Sequence, residues 1–307
     1  MTRGIFIFLV AAGSLLASIA GRSPSSERTP RDAPGEWASG KLRVVSMAPS
    51  ITEVLYELGL GENVTGVTRY CDHPSDAANK PRVGGYLDPN YEAILSQRPD
   101  LVVLLAEQAA RRPFFEEIGI RTLLVDHSTV GGILNSMIEI GRACAVDDSA
   151  SALAGRLRAR VEAVRIRTHD LPRPRVLVTV GRNLAEGTTG DMFISGRDSY
   201  YDQLIELAGG INAYAERTAA LPSISAEGIR ELDPEVIIEM APDLASGGGD
   251  PEKIRSSWTR IARGVRAVEQ GRVHVFGESF VVRPGPRFIL LLELMTRAIH
   301  PELEWSA

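Results

Sequence analysis

Three groups of residues in this chain have types and spacing that could do chemistry. The first is a run of potential metal ligands, Cys71, Asp72 and His73, inside VTRYCDHP. Three consecutive side chains rarely converge on one ion, and no second cluster has the spacing of a zinc site. His127, His169, His274 and His300 are scattered, with His169 and His300 at element ends where solvent should reach them. No protein-held metal is therefore expected. The second group is Asp126-His127-Ser128, which has the residue types of a nucleophilic triad. A triad has to converge in space, and three neighbours along a chain do not. The glycine-bearing loops GRNLAEGTTGDMF and ASGGGDP lack the context of a phosphate loop, and there is no G-x-G-x-x-G, P-loop or G-x-S-x-G. These absences argue against an enzyme. The third group is a pair of acids in a repeated setting. YEAILSQRPDLVV (91–103) returns as AEGIRELDPEVII (226–238). In each, a Glu (Glu92, Glu227) is followed seven places on by Pro (Pro99, Pro234), then an acid (Asp100, Glu235) and three branched aliphatics. A carboxylate in the first turn of a helix could simply favour the helix N-terminus.

The elements that must position these groups alternate along the chain. LRVVSM (42–47) is a short β-rich run, and APSITEVLYELGL follows with Ile51, Val54, Leu55 and Leu58 at helical spacing. Ser50 and Glu53 have the S-x-x-E spacing of a capping box, and Gly59 and Gly61 end that helix. A strand at 64–67, an irregular segment through Pro74 and a Gly-Gly-Tyr turn (84–86) come next. A short helix from residue 89, a break at Pro99 and the strand DLVVLLA follow. A helix (109–118), a strand (121–125) and a helix (130–143) complete this half. The alternation predicts an α/β domain with a parallel sheet.

Residues 147–170 interrupt it with one long helical segment, carrying Leu153, Leu157, Val161 and Val164 on one stripe. The second half opens with the strand RVLVTVGRN. SYYDQLIELAGGIN (199–212) then matches SITEVLYELGLGEN (50–63) without gaps, pairing Ser50 with Ser199, Glu53 with Asp202, Gly61 with Gly210 and Asn63 with Asn212. Two echoes in the same order predict two copies of one unit. The expected fold is α/β, with two similar Rossmann-like lobes, each with a central parallel sheet, joined by one α-helix of roughly 36 Å. The expected boundaries are 42–146 for the N-terminal lobe, 147–171 for the connecting helix and 172–307 for the C-terminal lobe.

Two lobes on a shared helix leave a cleft, the usual place for a small ligand, and a packed helical connector resists large closure. The length of 307 residues favours two domains, and a net charge of -5 without a basic stripe gives no reason to expect nucleic acid. Arg3, the apolar run 4–20 and small residues at Ser18 and Ala20 fit a secretory signal peptide (1–20) cut near Ala20. The alternative is an uncleaved N-terminal anchor. No Cys follows the run, which argues against a lipid-modified N-terminus. Residues 21–41, rich in Ser, Pro and charge, are a flexible linker, and the mature protein is expected to be periplasmic. Of two cysteines, Cys71 and Cys144, the second lies in an apolar helical stretch as a small core residue. A disulfide is permitted in an exported chain but not required at this size.

Over about residues 42–300 the chain resembles the helical-backbone (class III) periplasmic substrate-binding proteins of ABC importers. The resemblance is carried by RVVSMAPSITEVLYELG, VTRYCDHP, RVGGYLDPNYEAILSQRPDLVV and SAEGIRELDPEVII. The element Tyr70, Asp72, Pro74 and the spacing from GGY to Glu92 are most similar to the cobalamin-binding branch. The resemblance implies a monomeric receptor with no cofactor, which captures a corrinoid, cobalamin, and delivers it to an ABC importer permease dimer. Haem or a ferric siderophore is the alternative cargo, and a tethered sensor the alternative role. Glu92 and Glu227 fall on the family's permease-docking glutamates, and one carboxylate per lobe can address a two-fold symmetric permease through Arg pairs. Tyr70 and Tyr86 fall where aromatics face the macrocycle, though either could pack under its own loop. Leu221 stands where an aromatic is expected before Pro222, so Phe280 and Arg283 in GESFVVRPGPRF are the candidate replacements. A metal inside the ligand could also meet Cys71 or His73.

Overall fold

A computed structural model describes residues 41–181, 192–217 and 219–304. The export segment, the linker up to residue 40 and the loop at 182–191 lie outside the described residues. The first lobe runs β1 (Val44–Ser46), α1 (Pro49–Glu57), β2 (Val64–Val67), α2 (Tyr91–Ser96), β3 (Leu101–Leu105), α3 (Arg112–Glu117), β4 (Arg121–Val125) and α4 (Val130–Ala143). Its strands form a parallel sheet in the order β2-β1-β3-β4. The connector is α5 (Asp147–Thr168). The second lobe runs β5 (Arg175–Gly181), β6 (Met192–Ile194), α6 (Tyr200–Leu207), β7 (Ile211–Asn212), β8 (Ser223–Ile224), α7 (Ala226–Leu232) and β9 (Val236–Met240). It ends with α8 (Pro251–Ile261), α9 (Arg266–Glu269), β10 (Val273–Phe276) and α10 (Phe288–Ile299). Here β7, β5, β9 and β10 are parallel neighbours in the same order as the first sheet, and β6 and β8 add an antiparallel edge. The two-lobed α/β architecture is the expected one.

The repeat has a backbone reason. Asn90 Oδ1 accepts from Ala93 N–H at the start of α2, and Ser225 Oγ accepts from Gly228 N–H at the start of α7. Both helices leave through a left-handed residue, Arg98 (φ 48°) and Asp233 (φ 40°). The acid after each proline then locks two strands together. Asp100 Oδ2 accepts from Arg43 N–H (2.9 Å) before β1, and Glu235 Oε2 accepts from Arg175 N–H (2.8 Å) at the start of β5. Each arginine returns its guanidinium to the end of the helix that precedes the acid, Arg43 Nε to Gln97 O (2.9 Å) and Arg175 Nη2 to Leu232 O (2.9 Å).

The other echo is displaced by one residue from its gapless alignment. α1 and α6 end alike: Leu60 N–H donates to Leu55 O and Gly210 N–H to Ile205 O, across Gly59 (φ 78°) and Gly209 (φ 81°). These glycine caps pair Leu58 with Ala208 rather than Leu207. The expected capping box at Ser50 and Glu53 does not form. Pro49 occupies the first turn, the N-cap is Ala48 without a side-chain bond, and Ser50 lies inside the helix. In α6, by contrast, Ser199 does cap, accepting from Asp202 N–H at 3.1 Å. The expected helix at 109–118 is a 3₁₀ turn (Ala106–Arg111) running into α3.

One apolar core crosses the molecule, joining Ile51 and Leu55 of α1, Ile133 of α4, Leu153 of α5, Leu204 of α6 and Leu292 of α10. Satellites lie under α2 and α3 (Ile94, Phe115) and under α7 and α8 (Ile229, Trp258). The lobes thus share buried apolar surface, and moving one against the other would expose it. His169 is exposed as expected, but His300 is buried at 1% exposure. The end of α10 folds onto the cap of α6, where a Cβ on Gly209 would lie 2.7 Å from His300 Nε2 and 2.8 Å from Thr168 Cβ.

Candidate functional site

In parallel sheets the loops beyond the carboxyl ends of the strands share one edge, where ligands of α/β proteins collect. The loop after β2 carries Tyr70, Asp72 and His73, and the loop after β10 carries Phe280, Arg283 and Arg287. Two carboxylate–guanidinium pairs tie the second of these loops to the first lobe. Asp72 receives both Nη atoms of Arg283, with Nη2 at 2.9 Å from Oδ2. Glu53, from α1, receives Arg287 Nη2 at 2.6 Å and Nε at 2.9 Å. The Arg283 hydrogen bonds hold the Asp72 carboxyl below the usual carboxylate range. Arg287 also lies 5.4 Å from the centroid of the Phe280 ring.

Beside these pairs is a cavity of about 220 Å³ lined by Glu53, Tyr56, Glu57, His73, Pro74, Pro286 and Arg287. Pockets that enclose drug-sized ligands run from about 300 Å³ upward. At about 220 Å³ this cavity is too small to enclose a ligand of that size.

The sequence-predicted aromatics differ in presentation. Tyr70 is 44% exposed, a large ring held out into solvent beside Asp72. Tyr86 is half-buried, and burial pushes its hydroxyl up to about 12. Tyr86, Leu221 and Phe280 all fringe the core that spans the lobes. Arg283 is mostly buried and already engaged by Asp72. Cys71 is turned inward, its thiol 3.1 Å from Thr52 Oγ1 and 3.2 Å from Thr68 Oγ1. Burial raises its pKa, and the thiol does not face the cleft. Cys144 is a buried free thiol, as its apolar setting suggested.

Gln108 was missed at the sequence level. Its Nε2 donates to Met47 O and Tyr86 O, both at 3.2 Å, and its Oε1 accepts from Leu105 N–H at 3.0 Å. It thereby fastens the Tyr86 loop to the ends of β1 and β3. The only signal was an amide three residues after the end of a buried strand. Ser50 and Ser136 were missed too. They hold His127 from both sides, at 2.9 Å and 2.8 Å, in the interior. Ser136 gives its own proton to Ile133 O, so Nε2 of His127 is the donor to Ser136 and Nδ1 accepts from Ser50. Burial holds this neutral imidazole at about 4. Asp126 instead accepts from Ser128 N–H, so the three neighbours form no triad. Among the described residues no group of three His, Cys, Asp or Glu side chains could hold a metal ion.

Glu92 and Glu227 are each the second residue of a short helix, exposed, at equivalent places in the two lobes. Glu227 meets Arg230 at 3.3 Å, and hydrogen bonds from its own backbone N–H and from Arg230 lower its pKa. Leu95, one turn further along the same helix as Glu92, is also exposed, as is Leu87 in the preceding loop.

A family model of periplasmic binding proteins matches residues 44–279. The chain is 26% identical over 268 residues to an uncharacterised ABC transporter substrate-binding lipoprotein of Bacillus subtilis, covering 85% of this chain and 80% of that one. It is 25% identical over 262 residues to a vitamin B12-binding protein of Photorhabdus laumondii, covering 84% and 88%. The solved structure of the periplasmic haem-binding protein of Roseiflexus sp. RS-1, in apo form, superposes with a TM-score of 0.72 at 24% identity, covering 85% of this chain and 99% of that one. A likeness that distant shows the fold.

Proposed function

The chain belongs to the periplasmic binding protein family, and on that premise we propose that it captures a corrinoid, cobalamin, between its lobes and hands it to an ABC importer. It is a binding protein and not an enzyme. The observation that carries the choice of cargo is the charge at the rim. Both arginines there, Arg283 and Arg287, are neutralised by carboxylates of the opposite lobe. A corrinoid presents mainly amides and needs no free guanidinium, whereas a porphyrin dicarboxylate gains from one. Tyr70, Tyr86 and Phe280 supply flat apolar area around the rim, with Arg283 among them. The vitamin B12-binding names of curated relatives support the same cargo.

Glu92 and Glu227 are the docking carboxylates in this reading, one on each lobe, setting register on a two-fold permease. The mature chain would begin near Gly21, which N-terminal sequencing of exported protein reports directly. For the cargo, the test is an optical titration of the purified protein with cobalamin, haem and ferric chelates. A spectral change saturating with cobalamin is expected. A protein that responds to haem or a ferric chelate and to no corrinoid would carry that other cargo instead.

A further inference from the structure

We infer that Asp72 determines specificity: by holding the Arg283 guanidinium across the interlobe rim, it withholds that cation from anionic chelates and selects for uncharged, amide-bearing ones. The inference rests on the cargo reading above. Both Nη atoms of Arg283 are spent on the two oxygens of one carboxylate, so that edge of the fork is closed to any other acceptor. The two partners are unequally exposed. The Arg283 side chain is 16% exposed and that of Asp72 54%, so an incoming ligand meets the carboxylate before it meets the cation. The second pair has the opposite character. Glu53 is sealed at 2% exposure and Arg287 at 14%, which leaves Asp72 as the accessible charge of the four.

A ligand bearing carboxylates must either expel Asp72 from Arg283 or sit against its negative charge. An amide-bearing ligand does neither, since amides donate to Asp72 as readily as they accept elsewhere. Discrimination of this kind comes from an element that repels the wrong ligand, not from tighter contact with the right one. The pair joins residues 211 apart in sequence and from different lobes, so the charge of the rim is set only when both lobes are assembled.

The test compares cyanocobalamin with its monocarboxylates, in which one peripheral amide is hydrolysed, and adds haem as a dicarboxylate. Dissociation constants are measured on the full chain by optical titration for the wild type, Asp72→Asn, Arg283→Gln and Asp72→Glu. The wild type should prefer the amide. Asp72→Asn should shift the ratio of Kd values toward the carboxylate by about tenfold, the effect of one charge near a protein surface. Arg283→Gln, which leaves the carboxylate alone, should shift the ratio the other way. Asp72→Glu keeps the charge and should keep the wild-type preference. A pair that only holds the lobes together would move the Asn and Gln variants in the same direction, and that result, or an unchanged ratio in Asp72→Asn, would overturn the inference. Failure of the wild type to bind any corrinoid would instead overturn the cargo reading and the inference with it.

Discussion

Breaking the Glu53–Arg287 pair should cost more than any other single change at the rim. The carboxylate is 2% exposed and the guanidinium 14%, and two hydrogen bonds of 2.6 Å and 2.9 Å join them. Glu53 lies on α1 of the first lobe, and Arg287 immediately precedes α10 of the second. Glu53→Met leaves a buried guanidinium without a counter-charge, and Arg287→Met leaves a buried carboxylate. Each is expected to lose about 3–5 kcal/mol. The double variant removes both desolvated charges and replaces them with flexible apolar side chains, so its stability should return to within about 1–2 kcal/mol of wild type. Urea denaturation of the four proteins at neutral pH measures this, provided the m-values agree. Losses of this size are a large share of the roughly 5–15 kcal/mol that holds a domain folded. If the double variant lost the sum of the two single losses, the residues would be independent and the pair would not couple the lobes. A cost below about 1 kcal/mol for Glu53→Met would place the pair in the class of solvated surface bridges.

Three further outcomes are expected. His127 has a folded pKa of about 4 against 6.5 for a free imidazole, so between these values the unfolded chain takes up a proton that the folded chain refuses. Stability should therefore fall as pH drops from about 6.5 to about 4, by about 3 kcal/mol in all. His127→Gln should lack this component, and parallel slopes of urea midpoint against pH in both proteins would disprove it. Glu92→Lys and Glu227→Lys should abolish uptake in cells while the purified proteins bind ligand normally; weakened binding in both would move these residues from docking to the cleft. Gly209→Ala should lower the melting temperature more than Gly59→Ala. Both positions have positive φ, but only at Gly209 would the new Cβ strike neighbours, His300 Nε2 and Thr168.

The duplication, the alternation of strands and helices through the first lobe and the long connector were legible along the chain. Each rests on signals that act over a few residues. Asn90 and Ser225 cap helices three residues ahead, Gly59 and Gly209 close helices behind them, and the branched-aliphatic stretches at 101–105 and 236–238, each set off by a proline and an acid, read as buried strands. Glu92 and Glu227 could be matched for the same reason, since each is placed by its own short helix. Ser50 and Glu53 show where local reading stops. Their spacing promised a cap, yet Ser50 bonds His127, 77 residues on, and Glu53 bonds Arg287, 234 residues on. His300 looked like a solvated helix end until the cap of α6 covered it. The rim was decided in the same way, with Asp72 meeting Arg283 and Gln108 fastening the Tyr86 loop only once the strands stood side by side. Backbone groups must be satisfied within a turn or a strand pair, which leaves a local trace. A buried side-chain charge needs only one partner, and any segment of the chain can bring it.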